Sequence, residues 1–120
     1  MLPKKERLTT EEFTVVMEKG RVVHSPLFLV RLLPQAASSG GAKFAAIASK
    51  KVAKTAVGRN KIRRQTYESI AEVMKVAQAN GKTLLAAHVA VFAKDAVVKA
   101  EFEALVSDLS QLFVKAGIIK

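Results

Sequence analysis

Hydrophobic periodicity that switches between helical and strand-like spacing predicts an α+β fold, a two-layer α-β sandwich in the order α-β-β-α-β-α. Three observations carry this. Two long stretches, 59–80 and 95–115, repeat apolar residues at helical spacing; Val22–Leu33 and Thr83–Ala93 are dense in β-branched and apolar residues; and Gly or Pro separates all but the last two blocks. The 120 residues, 50% of them hydrophobic, suffice for a single domain with one core and no internal repeat.

The elements follow in order. Thr9 or Thr10 is placed to cap a first helix carrying Glu11, Glu12, Phe13, Val16 and Met17, which Gly20 ends. Val22–Leu33 reads as a strand or two, stopped by Pro34, with Pro26 making its first part an edge or a bend. Gln35–Gly41 is a turn or short loop, and Lys43–Ser49 a strand expected to pair with the one before it. A helix is expected after Gly58, running to a stop at Asn80-Gly81. Ile62, Thr66, Ile70, Val73 and Ala77 share its apolar face, with Asn60 and Arg64 roughly opposite and Lys61 and Arg63 flanking. Thr83–Ala93 is a third long strand, and Asp95 caps a last helix with Val98, Phe102, Leu105, Leu109, Leu112 and Phe113 at helical spacing. A last strand that follows a helix back into the same sheet makes a crossover, right-handed by the general rule.

Charge is the strongest functional signal. The chain holds 20 Lys+Arg against 10 Asp+Glu, a net charge of +10. Between Glu18 and Glu68 lie eleven basic residues and no acidic one, so the whole excess falls mid-chain. Clustered like charges repel and call for a polyanion, and nucleic acid is the usual one. A membrane surface would favour a basic helix with exposed aromatics on its other face, which this sequence lacks. The longest nearly apolar run, Leu84–Ala93, is broken by His88 and is too short to span a bilayer, and the charged start Met1–Arg7 has no signal-peptide character. No membrane association and a cytoplasmic location are therefore expected. With no Cys, and with His24 and His88 far apart, disulfide, thiolate and His-cluster chemistry are not expected, nor is any metal site in the protein.

The most informative stretch is Ser49-Lys50-Lys51-Val52-Ala53-Lys54-Thr55-Ala56-Val57-Gly58-Arg59-Asn60-Lys61-Ile62-Arg63-Arg64. It leaves a strand, crosses a short connection and opens a helix. A helix start exposes unpaired N–H groups and partial positive charge. Arg59, Lys61, Arg63 and Arg64 on that first turn would add full charges to a ready anion site, with Lys50 and Lys51 flanking from the strand end. Cations at a helix start oppose its dipole, and such local inconsistency marks function.

This stretch resembles the signature of the bacterial ribonuclease P protein family, which reads approximately Ser-Lys-Lys-Val, a few residues, then Ala-Val-x-Arg-Asn-Arg-x-Lys-Arg opening a helix. The resemblance extends to Arg7-Leu8, Glu12-Phe13, Lys19-Gly20-Arg21 and Ser25-Pro26-Leu27-Phe28-Leu29-Val30, and to the closing apolar strand and helix. It implies a small α-β sandwich with an unusual left-handed β-α-β crossover. It implies as partners the catalytic RNA, which does the chemistry with Mg2+, and precursor tRNA, whose 5′ leader is removed, with one protein per RNA and a protein that is inactive alone. By position, it implies RNA contact by Lys50, Lys51, Lys54, Arg59, Asn60, Lys61, Arg63, Arg64 and Tyr67. Phe13, Met17, Phe28, Val30 and Arg31 would mark the leader cleft or the core beneath it. The chain departs from the family pattern at Lys61, where a second Arg is usual and bidentate geometry is lost. It departs also at Tyr67, often Arg, whose ring could stack on a base, and at Met17 and Arg31, where aromatics occur.

Competing readings are an autonomous enzyme, a general RNA-binding module such as a ribosomal or RNA-assembly protein, and a DNA-binding domain. For the first, Glu11, Glu12, Glu68, Glu72, Glu101, Glu103 and Asp108 supply carboxylates, but no nucleophile elbow, P-loop or zinc spacing accompanies them. Against the last, the basic run stops at Arg64 and gives way to Glu68 and Glu72, which suits backbone contact better than groove reading.

Overall fold

A computed structural model describes residues 6–36 and 41–120. The middle of the expected 35–41 loop and most of the charged N-terminus lie outside the described residues. The elements are α1 (Thr10–Lys19), β1 (Arg21–His24), β2 (Phe28–Pro34), β3 (Lys43–Ile47), α2 (Ala56–Ala79), β4 (Ala87–Ala93), a 3-10 turn (Asp95–Lys99) and α3 (Phe102–Lys115). They form the expected α+β arrangement around one four-stranded sheet of order β1-β2-β4-β3.

Thr9 begins α1 with a reciprocal capping box: its Oγ1 accepts from Glu12 N–H at 3.2 Å while the Glu12 carboxylate accepts from Thr9 N–H at 2.9 Å. Gly20 ends the helix, its N–H donating to the Val16 carbonyl. Val22–Leu33 divides into two strands, because Ser25 turns the chain: its Oγ accepts from Phe28 N–H, and Pro26 sits in the bend. β1 and β2 pair antiparallel from Arg21↔Leu32 to His24↔Leu29. Asp108 of α3 holds this bend, its carboxylate accepting from the Ser25 hydroxyl and from Leu27 N–H.

The strand expected to pair with β2 does not. β3 runs parallel to β4, from Lys43↔His88 to Ile47↔Phe92, and β4 fills the space between β3 and β2, antiparallel to the latter. The α2 crossover makes this possible, since parallel neighbours need a long connection. Two further boundaries move. Leu84 pairs with Ile119 at the chain's end, so β4 begins only at Ala87. Asp95 opens a 3-10 turn, and α3 starts at Phe102, which leaves Val98 and Phe102 exposed.

The two sheet faces are distinct. On β2, Phe28, Val30 and Leu32 are buried, alternating with half-buried Leu29, Arg31 and Leu33. The buried set joins Ala87, Val89, Val91 and Ala93 of β4, the stripe Ile62, Ile70, Val73 and Ala77 of α2, and Leu105, Leu109, Leu112 and Phe113 of α3. The Phe44 and Phe113 rings stack at 5.7 Å across this core. Thr66 and Ser69 are buried within the α2 stripe and return their hydroxyls to the Ile62 and Gln65 carbonyls, both at 2.8 Å, so neither burial leaves an orphaned donor. α2 and α3 thus form the helical layer, and α1 lies on the other face, where Phe13 meets Phe92 at 6.5 Å. Among the described residues no helix is long and apolar enough to cross a membrane.

The joint between α1 and β1 has no room for a side chain. A Cβ at Gly20 would lie 2.5 Å from the Val16 carbonyl oxygen and 3.1 Å from that of Leu32. Gly20→Ala is expected to cost about 1–3 kcal/mol of stability, read as a lower denaturant midpoint. An unchanged midpoint would show that α1 can shift freely.

Candidate nucleic-acid interface

Beyond β3 the chain turns tightly, with Val52 and Ala53 N–H both donating to the Ser49 carbonyl at 3.1 and 3.2 Å, and holds Lys50 and Lys51 exposed. Thr55 then caps α2, its Oγ1 accepting from Gly58 N–H at 3.0 Å. The helix therefore starts at Ala56, ahead of Gly58, because the cap lies upstream. Gly58 suits the spot: a Cβ there would approach Thr55 Oγ1 to 3.0 Å and Ala53 Cβ to 3.2 Å.

This start shifts the cations along the helix. Only Arg59 falls on the first turn, and Lys61, Arg63 and Arg64 follow over the next two, where the dipole penalty is smaller. Arg59 is half-buried, and its Nη1 donates to the Ala53 and Lys54 carbonyls at 3.1 and 3.0 Å. Its charge braces the corner as well as adding to it, a role the sequence did not suggest.

Lys50, Lys51, Lys54, Lys61, Arg63 and Arg64 are exposed, as is Asn60. Among the described residues the one ion pair is Lys43–Glu12, with His88 beside the same carboxylate, so no carboxylate neutralises this cluster. Asn60, Arg63, Arg64 and Tyr67 stand at i, i+3, i+4 and i+7, a single helical stripe. With Arg7 and Ala46 they line a cleft of about 360 Å³ between α2 and β3.

The expected leader-cleft residues divide between the two sheet faces. Phe13, Met17 and Arg31 lie on the α1 side, half-buried, and Arg31 Nη1 donates to the Met17 carbonyl at 2.8 Å, near the negative end of the helix. Phe28 and Val30 are 0% exposed and belong to the core beneath, facing α2 and α3. Reading the side-chain alternation of β2 against Arg31 would have separated them.

Three α1-side residues were given no role on this face from sequence: Lys43, His88 and Phe92. Glu12 Oε2 lies 3.2 Å from Lys43 Nζ and 3.5 Å from His88 Nε2. The Thr9 N–H bond, aided by Lys43 and His88, holds the Glu12 carboxyl below its ordinary pKa against the opposing effect of burial. Burial lowers the His88 pKa; Glu12 opposes that shift and Lys43 adds to it.

The carboxylates weighed for an autonomous enzyme do not converge. Asp108 holds the β1–β2 bend, Glu72 and Glu103 line a shallow groove with Phe102 and Val106, and Glu68 is exposed. Among the described residues no three of His, Cys, Asp and Glu group as a metal site would require.

An uncompensated cluster of cations on a braced strand-to-helix corner, carried by a mixed sheet, defines a polyanion-binding α+β protein. The family model for ribonuclease P matches residues 2–117, and the chain belongs to the ribonuclease P protein family, which implies RNA binding and a role in tRNA processing within an endoribonuclease complex. Solved structures share the fold. The RNase P protein of Staphylococcus aureus is 23% identical with a TM-score of 0.75, covering 96% of this chain and 98% of that one. A mutant of the S. aureus protein with defective mRNA degradation activity is 24% identical with a TM-score of 0.76, covering 98% and 92%. The RNase P protein of Thermotoga maritima is 16% identical with a TM-score of 0.73, covering 92% and 96%. Among curated proteins none matches the sequence.

Two outcomes test the site's internal chemistry. Arg59→Ala is expected to lower stability by about 1 kcal/mol or more through loss of two charged-donor hydrogen bonds, whereas Arg63→Ala should stay within about 0.5 kcal/mol. Equal denaturant midpoints for the two would remove the bracing role. Because folding lowers the His88 pKa from its ordinary 6.5, the unfolded chain binds the proton more readily. His88 thus supports folding fully above that pH, and the melting temperature should fall on acidification through and below it. His88→Gln should flatten that fall, and an unaltered pH profile would exclude the residue.

Proposed function

We propose that the chain is the protein subunit of a ribonuclease P ribonucleoprotein, binding its catalytic RNA and the 5′ leader of precursor tRNA and assisting endonucleolytic removal of that leader. The observation that carries the reading is the unneutralised charge of Lys50, Lys51, Lys54, Lys61, Arg63 and Arg64 on a corner that Thr55 and Arg59 hold rigid. A preformed cation array binds structured RNA with little ordering cost, and each neutralised phosphate releases counterions. Asn60 and Tyr67 extend the same surface with an amide and a ring. Phe13, Met17 and Arg31 line the side of α1 offered to the leader, with Phe28 and Val30 supporting the sheet from below. Hydrolysis belongs to the RNA and its Mg2+ ions, one protein serving one RNA in the cytoplasm, and the protein alone does not cut.

The test is reconstitution with a bacterial ribonuclease P RNA at low Mg2+, assaying precursor-tRNA cleavage. Stimulation over RNA alone is expected; its absence would favour a general RNA-binding module, and cleavage without RNA would favour a protein nuclease. Binding should weaken with salt at a log–log slope of about −0.7 to −0.9 per phosphate. Lys61→Ala with Arg64→Ala should make that slope shallower by about 1.5. An unchanged slope would place the docking surface elsewhere.

A further inference from the structure

We infer that the cleft between α2 and the outer edge of β3 receives a single unstacked nucleobase of the bound RNA, stacked on Tyr67 and read at its edge by the Ala46 peptide and the Asn60 amide. The inference rests on the ribonucleoprotein reading above and concerns a part of that surface for which charge alone gives no account.

β3 is one of the two edge strands of the sheet. Among the described residues the segment before α1 meets it at one point, where Arg7 bridges Phe44 and Leu8 N–H donates to the Phe44 carbonyl at 2.9 Å. The chain then leaves the edge to enter α1. That bond shows the Phe44 carbonyl pointing away from β4, and by strand periodicity the Ala46 N–H and C=O point the same way. Among the described residues no backbone group outside the sheet takes them. The unpartnered Ala46 peptide, in a residue 6% exposed, therefore borders the cleft that Ala46 lines. A donor and an acceptor side by side match the paired acceptor and donor on a base edge.

Opposite stands the stripe of α2. Tyr67, half-buried and packed against the core, supplies an aromatic wall with little freedom to lose. Asn60 adds both hydrogen-bonding senses, and Arg63 and Arg64 place guanidinium groups where the phosphates on either side of an inserted base would run. The volume of about 360 Å³ lies at the small end of ligand pockets, suited to one nucleotide and too small for a duplex. Phosphate contacts alone hold RNA without reading it, and a base taken out of its stack is how proteins read RNA sequence.

The experiment measures affinity of the full chain for a bacterial ribonuclease P RNA across a salt series, for wild type, Tyr67→Leu and Tyr67→Phe, each first checked by thermal unfolding. Tyr67→Leu is expected to weaken binding about tenfold or more with the salt slope unchanged, while Tyr67→Phe stays within about twofold. A folded Tyr67→Leu protein that binds as tightly as wild type, with a steep salt slope retained, would overturn the base pocket and leave the electrostatic docking standing. Absence of RNA binding by wild type would overturn both. Should Tyr67→Leu fail to fold, amide and aromatic NMR of the wild-type chain decides. Adenosine, guanosine, cytidine and uridine 5′-monophosphates are titrated beside ribose 5-phosphate. Shifts at the Ala46 amide and the Tyr67 ring with at least one nucleotide, and not with ribose 5-phosphate, support the pocket; equal shifts from ribose 5-phosphate overturn it.

Discussion

Burial of one stripe on α2 sets the position of the whole surface proposed to meet RNA. Ile62, Thr66, Ser69, Ile70, Val73 and Ala77 are pressed onto β3, β4 and α3, and a helix pinned along one face over about four turns cannot roll. Fixing the roll fixes the rest by geometry. Asn60, Arg63, Arg64 and Tyr67 must then lie along the β3 edge, and Lys61 must project into solvent. The hydroxyls of Thr66 and Ser69, returned to their own helix, allow two polar residues to sit in the stripe without loosening it.

The approach to the helix is as constrained as the helix. Ser49 closes the turn, Thr55 caps, Gly58 allows the cap close in, and Arg59 ties the connection back to the first turn. A cation at that location serves two ends. Two carbonyls of the connecting segment fix its guanidinium, which lowers the entropy of the corner, and its charge remains part of the field. The neighbouring cations repel one another with no carboxylate to relieve them, a cost that a polyanionic partner removes on binding.

The opposite sheet face works differently. Glu12 closes the capping box of α1 and reaches Lys43 and His88 on β3 and β4, so helix start and sheet are locked by one carboxylate. At the other end of α1, Arg31 takes the Met17 carbonyl. α1 is thus held at both ends by polar contacts, with Val16 buried and the Phe13–Phe92 pair between them. On this face Glu12 answers the charge of Lys43, whereas no carboxylate meets the cations of the corner.

Local signals carried much of this. Thr9, Gly20, the α2 stripe and the Leu105–Phe113 repeat act within a few residues, so caps, helix faces and the exposure of most of the basic run were readable directly. The family resemblance likewise rested on contiguous residues. What lay beyond the sequence involved partners far apart in the chain. Nothing near Lys43 tells that its strand would align with one forty residues later, because ladder pairing is chosen by the whole sheet. The same holds for the division of Phe28 and Val30 from Arg31, for the anchoring of Asp108 on Ser25, and for the cleft between Tyr67 and Ala46. The sequence by itself determined which residues are charged, capped and amphipathic, since these are properties of neighbours. Only the tertiary structure decided which of them meet, because the energy of packing a sheet edge against a helix is shared among residues that the chain keeps apart.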